Sequence, residues 1–396
     1  MGKFYRRVAA GLAASFLVAE AAVARDISLP FELDNKVIFL QAKVAGRSTW
    51  VILDTGDKYT VVDMDLARAA GLPLGQPVEV GGGGDHTVTG AMAQGGGIDV
   101  AGVSGQPLPV FIAVPLGDIA RASGHEVGGI IGYDFLSRYV VEINYRRRRL
   151  VLHEPAYRYA GHGQTLPITF NSAGHPQVRA EVIDRGRELG EGLYTLDIGS
   201  AVAIVLNAPF VNAHQLLDEN RPTVAFLGGA GVGGTVQGRI GRVTGFKLGH
   251  FLINDPIVMF ATSAGGAFAG SDAQGNIGAA ILERFKLIID YPRRQVSFEP
   301  SHALSAPLDY DKTGIVWTSS GPTFDTFTVK AVAPGSPAEA AQIRPGDHLV
   351  AIDGRAASKF RLSDVRELLQ KSRTFTLLFE RSGSSVTIRL KPRRRV

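Results

Sequence analysis

The sequence predicts a mostly β chain, with two homologous β lobes followed by a small α+β module. Three observations carry this expectation. Glycine is abundant, at 48 of 396 residues, and much of it separates short alternating apolar runs, as strands joined by tight turns require. A segment of the first half recurs in register in the second. The region after Leu308 is a single copy, unrelated to the repeat.

The repeat is the organising feature. The segment from Ile131 to Tyr145 aligns with Ile277 to Tyr291. Ile131, Gly132, Leu136, Arg138, Ile143 and Tyr145 recur as Ile277, Gly278, Leu282, Arg284, Ile289 and Tyr291. Upstream, Leu53-Asp54-Thr55-Gly56 precedes the β-branched run Thr60, Val61, Val62, and Leu196-Asp197-Ile198-Gly199-Ser200 precedes Val202, Ile204 and Val205. The two Asp-x-Gly elements thus occupy equivalent places. This predicts units at 25–157 and 158–304, with a further module at 305–396 and a separate leader at 1–24.

Within each lobe the local pattern is strand. Lys36 to Val44 alternates toward a turn at Ala45-Gly46-Arg47, and Ser48 to Leu53 runs back, a hairpin that delivers Asp54 at its end. Asp63 is placed to cap a short helix ended by Gly71. In the second lobe Gln177 to Ile183 and Gly192 to Leu196 repeat the plan. A glycine-rich stretch follows each Asp, Gly81 to Gly90 and Gly228 to Gly238. Neither carries the Gly-Lys-Ser/Thr ending or the helix of a phosphate loop, so each reads as a mobile β-hairpin.

Composition removes several classes of function. With no cysteine, disulfides, thiolate metal sites and thiol nucleophiles are excluded. The histidines show no ligand spacing, so neither a metal nor another cofactor is expected. The formal charge is +5, which is mild. The runs Arg146–Arg149 and Arg393–Arg395 read as a solvated turn and a chain end, and no nucleic-acid module accompanies them. Lys3, Arg6 and Arg7, the apolar stretch Val8 to Val18, and Ala22-Val23-Ala24 form a signal-peptide pattern. A chain cleaved after Ala24 and exported to the periplasm or beyond is expected, with an uncleaved anchor as the rival.

The strand, Leu-Asp-Thr-Gly, β-branched run and distant apolar-apolar-Gly together resemble the retropepsin-like and pepsin-like aspartic peptidases. The resemblance spans about residues 30 to 300. It implies two aspartic-peptidase β-barrel-like lobes that contribute one carboxylate each, Asp54 and Asp197. Thr55, Gly56, Gly199 and Ser200 would support the active site, and Ile130-Ile131-Gly132 and Ile277-Gly278 would pack beneath it. The glycine-rich hairpins become candidate flaps, with His86, Thr87 and Val88 near the first tip. A protein or peptide substrate is implied. Two departures stand out. Asp57 replaces a small, often hydroxylic residue, and Ile198 cannot supply the hydroxyl with which the family's Thr braces the opposite lobe.

Phe327 to Gly354 resembles the bacterial PDZ core. Ser336-Pro337-Ala338 would start a short helix, Gly346-Asp347 would turn into a strand, and Asp353-Gly354 would make a hairpin. An amphipathic helix from Leu362 to Lys371 and strands at Thr374 to Phe379 and Ser385 to Leu390 complete the pattern. Such a module takes a chain end by strand addition, here with Gly314, Ile315 and Val316 in the carboxylate loop. Two alternatives to the enzyme stay open: an inactive, peptide-binding scaffold of the same fold, and self-association through the PDZ-like module. Oligomeric state is left open.

Overall fold

The computed structural model describes residues 26–94, 98–100, 103–104, 111–228 and 231–396. The expected leader at 1–24 lies outside them, as do Gly229 and Ala230 of the second glycine-rich stretch. Among the described residues no helix is long and apolar enough to cross a membrane.

Two ten-stranded sheets repeat one plan. In the first, Val37–Val44 and Arg47–Leu53 form the expected hairpin. Its two-residue turn takes Ala45 and Gly46 through φ of +48° and +78°, as a type I′ turn requires. Asp63 caps the Met64–Ala69 helix by accepting from the Asp65 and Leu66 N–H groups. The short strand Gly129–Ile131 lies parallel to Arg47–Leu53 and antiparallel to Val61–Asp63. In the second sheet Gly275–Gly278 lies in the same way between Arg187–Asp197 and Ile204–Leu206. The strand before Asp197 begins earlier than its apolar pattern suggests, at the Arg185-Gly186 turn.

A six-stranded sheet joins the lobes at their base, and its central pair is the repeat itself. Val140–Asn144 pairs antiparallel with Phe285–Asp290, with Glu142 opposite Ile288. Those two residues are also equivalent in the sequence alignment, so a local two-fold axis passes between them. Ile27–Pro30 edges one side and Gln164–Pro167 the other, in matching positions. Val140, Val141, Ile143, Leu287, Ile288 and Ile289 are all essentially buried. One apolar cluster runs through both lobes from Leu29 to Leu308, which makes the pair a single folding body. It also holds a buried ion pair, Arg221 to Asp184 at 2.6 Å, whose guanidinium is further satisfied by the Arg242 carbonyl.

The C-terminal unit has its own sheet, ordered Ile315–Ser320, Thr326–Val332, His348–Ile352, Phe375–Arg381 and Ser384–Leu390, with Arg355–Ala356 beside His348–Ile352. Its core centres on Trp317, Phe327, Phe375 and Phe379. Ser336 caps the Pro337–Ala340 helix, and Arg381 grips the buried Asp347 through two bonds of 2.6 and 2.7 Å. The arginine run at the chain end is tied down. Arg395 bonds Asp311 at 3.0 Å and Arg394 reaches Asp255 of the second lobe at 3.3 Å.

Candidate active site

Both Asp-x-Gly loops leave the ends of central strands and meet between the lobes. Asp54 Oδ1 accepts from the Gly56 N–H at 2.7 Å, and Asp197 Oδ1 accepts from the Ser200 N–H at 2.9 Å. Each glycine faces the other lobe's carboxylate. A Cβ on Gly199 would overlap the Asp54 carboxyl group, and one on Gly56 would lie 2.9 Å from Asp197 Cγ. Neither glycine has a positive φ. Close approach, rather than an unusual backbone conformation, excludes a side chain here.

Thr55 ties the two loops together. Its wholly buried hydroxyl donates to the Leu196 carbonyl at 2.6 Å and accepts from the Ile198 N–H at 3.1 Å. Ile198 is also wholly buried and has no polar atom to return the bond. The brace therefore runs one way. At Ser200 the N–H, rather than the hydroxyl, meets the carboxylate.

Two supports lie outside the motifs. Asn276 Nδ2 donates to Asp197 Oδ2 at 2.8 Å. Asp134 accepts from the Thr60 hydroxyl at 2.6 Å and from the Thr60 N–H, and the same hydroxyl accepts from the Gly132 N–H at 3.2 Å. The sequence signal for Asn276 is a polar residue that the repeat sets opposite Ile130.

Burial raises all three carboxyl groups of the cluster, and like charge adds to the rise at Asp54 and Asp57. Asp54 is pushed well above the usual carboxylate range, first by burial, then by Asp197 and Asp57. Asp197 is also raised by burial, but its donors, Asn276 foremost, work against the rise. Asp57 is pushed up to about 7 by burial, with Asp197 and Asp134 adding to it. A carboxyl group whose folded pKa is raised binds more protons folded than unfolded. Its stabilising effect is full below its ordinary pKa and is lost as pH rises to about 7. Asp57→Asn is therefore expected to flatten the loss of stability between pH 4 and 7 and to gain about 1–2 kcal/mol at pH 7, measured by denaturant unfolding across that range.

A cavity of about 1450 Å³ opens above the pair. Ile52, Ile130, Thr195 and Asn276 line its floor, and Gly81, Gly82, Gly83 and Phe226 its roof. The roof is formed by the two glycine-rich hairpins, which meet tip to tip. The N–H groups of Gly84, Asp85 and His86 donate to the Val232, Thr235 and Gly233 carbonyls at 3.0, 3.2 and 3.1 Å. A Cβ on Gly84 or Gly233 would overlap the facing backbone, which explains the glycines. The cavity wall at the first tip comes from Gly81 to Gly83. His86 and Thr87 are exposed on the returning side, Thr87 bonds Glu79, and Val88 pairs with Val80.

The same cavity reaches the C-terminal unit at Gly314, Ile315 and Val316. There the loop's donors are engaged internally. Gly314 N–H bonds Asp311 Oδ2 at 2.6 Å, and Ile315 N–H bonds the Thr313 hydroxyl at 3.1 Å. The groove between the edge strand Ile315–Ser320 and the Leu362–Leu368 helix is also engaged. The C-terminal end of the Gly117–Ser123 helix of the first lobe packs there. Its Arg121 carbonyl accepts from Ser319 Oγ at 2.8 Å and its Ala122 carbonyl from Arg366 at 2.6 Å, while Gly124 lies so close to Leu362 that a Cβ would overlap it. Ile119 of this helix lines the cavity.

Residues 40–135 match the aspartyl protease family and residues 328–381 match the PDZ domain family. Among solved structures, basic 7S globulin from soybean aligns over 72% of this chain and 100% of its own, at 11% identity and a TM-score of 0.44. No curated protein matches the chain.

Proposed function

We propose that the chain is an aspartic endopeptidase that hydrolyses peptide bonds with a water held between Asp54 and Asp197. The observation that carries this is the pair of half-buried carboxyl groups, one from each lobe, lining a cavity that both hairpins also line. Two such groups share one proton. The ionised one takes a proton from water as the water oxygen bonds the peptide carbonyl carbon, and the protonated one gives its proton to the carbonyl oxygen. The tetrahedral diol then collapses. Its C–N bond breaks, the leaving nitrogen takes the proton drawn from water, and a diol hydroxyl returns its proton to the other carboxyl group. Export rests on residues 1–24 alone.

The test is digestion of an unfolded protein by the full chain between pH 3 and 8. Cleavage is expected with an acidic optimum. A folded chain that cleaves nothing at any pH would make it a peptide-binding scaffold.

For the PDZ domain the engaged groove favours an internal, regulatory role over free capture of chain ends. The Gly117–Ser123 helix contacts the groove and lines the cavity through Ile119, so ligand entry at the groove would loosen a wall of the cleft. Removing both hydrogen bonds with Ser319→Ala and Arg366→Ala is expected to speed amide exchange over residues 117–124 about tenfold or more. It should also change KM more than kcat. Unchanged exchange would leave the domain as a passive brace.

A further inference from the structure

The two carboxyl groups are inequivalent, and the foremost difference between their hydrogen-bond donors is one side chain. In the first lobe the residue that precedes the Ile-Gly pair is Ile130, paired across the sheet with Ile52 and Val61. In the second lobe the same register position is Asn276, between Thr195 and Val205. Ile130 is buried in an apolar cluster with Phe39, Ile52 and Val61. Asn276 instead extends its amide to Asp197 Oδ2 at 2.8 Å. Asp197 thus has a donor on each oxygen, Asn276 on Oδ2 and the Ser200 N–H on Oδ1. Beyond its contact with Asp197, Asp54 has the Gly56 N–H. A hydrogen bond donated to a carboxylate favours its charged form.

We propose that Asn276 is the positioning residue that divides the labour of the pair. Its amide keeps Asp197 ionised as the group that takes the proton from water and leaves the shared proton on Asp54, the group that donates to the carbonyl oxygen. This rests on the peptidase reading for its consequence but on hydrogen bonding for its cause. Other groups facing the pair push the same way, since Asp57 adds to the rise at Asp54, but Asn276 is the foremost donor acting on Asp197 itself. Asp57 lies close to both Asp54 and Asp197, Asp134 faces Asp57, and Tyr291 lies toward Asp54. Strand pairing on both sides fixes the face from which Asn276 leaves the sheet, and that face is the one toward Asp197.

The test replaces Asn276 with leucine, close in size and without a donor, and with alanine in case leucine does not fold. The Asp197 pKa is followed by ¹³C carboxyl titration of the full chain, its signal identified by its loss in Asp197→Asn. In either variant the Asp197 titration, and with it the acid limb of kcat/KM, is expected to move up by about one pH unit. Activity below that limb should then fall about tenfold and recover above it, with KM little changed. A shifted titration in a chain that cleaves nothing would remove the peptidase reading and leave the positioning role standing. An unmoved titration in the folded variants would overturn the positioning role whether or not the chain is active.

Discussion

Asp54→Asn or Asp197→Asn is expected to lower kcat by a thousandfold or more while raising folding stability. The loss follows from removing one of two groups whose proton exchange makes and breaks the tetrahedral intermediate, since positioned acid–base groups are each worth about 10²–10⁴ in rate. The gain follows from the same burial. Both carboxyl groups are raised by burial, so at pH 7 folding must either take up a proton or carry a charge it disfavours, and a neutral amide avoids both. The gain should be about 1 kcal/mol or more and larger at Asp54, which lacks the donors that offset the rise at Asp197. At pH 4 the gain should shrink, because the protonated carboxyl group then resembles the amide. Activity assays and unfolding curves on the same two variants measure both effects. A structural carboxylate would give the opposite sign, losing stability with its charge. Activity retained in either variant would remove that residue from the chemistry.

What was legible in the sequence is what short-range rules determine. The Ala45-Gly46 turn, the Asp63 cap and the delivery of Asp54 and Asp197 at strand ends follow from turn chemistry and alternation over a few residues. The repeat placed two equivalent loops in two lobes. What escaped depends on distant partners. The pairing of Val140–Asn144 with Phe285–Asp290 makes the repeat a two-fold sheet, yet nothing local to either segment requires it. The tip-to-tip contact of the hairpins explains their glycines only once Gly84 and Gly233 are seen to face each other. Asn276 stood in the sequence as a break in the repeat, and its meaning came with its distance to Asp197. At Gly314 the loop looked ready for a ligand carboxylate, whereas Asp311, three residues earlier, already holds its N–H.

Thr55→Val is expected to cost about 2–4 kcal/mol and to lower kcat by roughly tenfold to a hundredfold. Valine keeps the shape of threonine, so packing changes little and the loss isolates the hydroxyl. That hydroxyl serves two buried backbone groups, the Leu196 carbonyl and the Ile198 N–H. Each left unsatisfied costs about 1–3 kcal/mol. In a symmetric pair of loops a second hydroxyl would keep half of the brace, but Ile198 offers none, so one substitution removes the whole link. The rate falls because the loops carrying Asp54 and Asp197 are no longer held in register, and misplacement by about an ångström can cost about a hundredfold. Thr55→Ser should retain most of both quantities. The sharper comparison moves the brace across. By the repeat, a threonine at position 198 would set its hydroxyl toward the Leu53 carbonyl, so Thr55→Val with Ile198→Thr should recover part of the lost rate. It should recover less of the stability, because Ile198 is wholly buried and trimming it costs about 1 kcal/mol. Recovery of rate without stability would show that the register of the two loops, and not the strength of the fold, is what the hydroxyl secures.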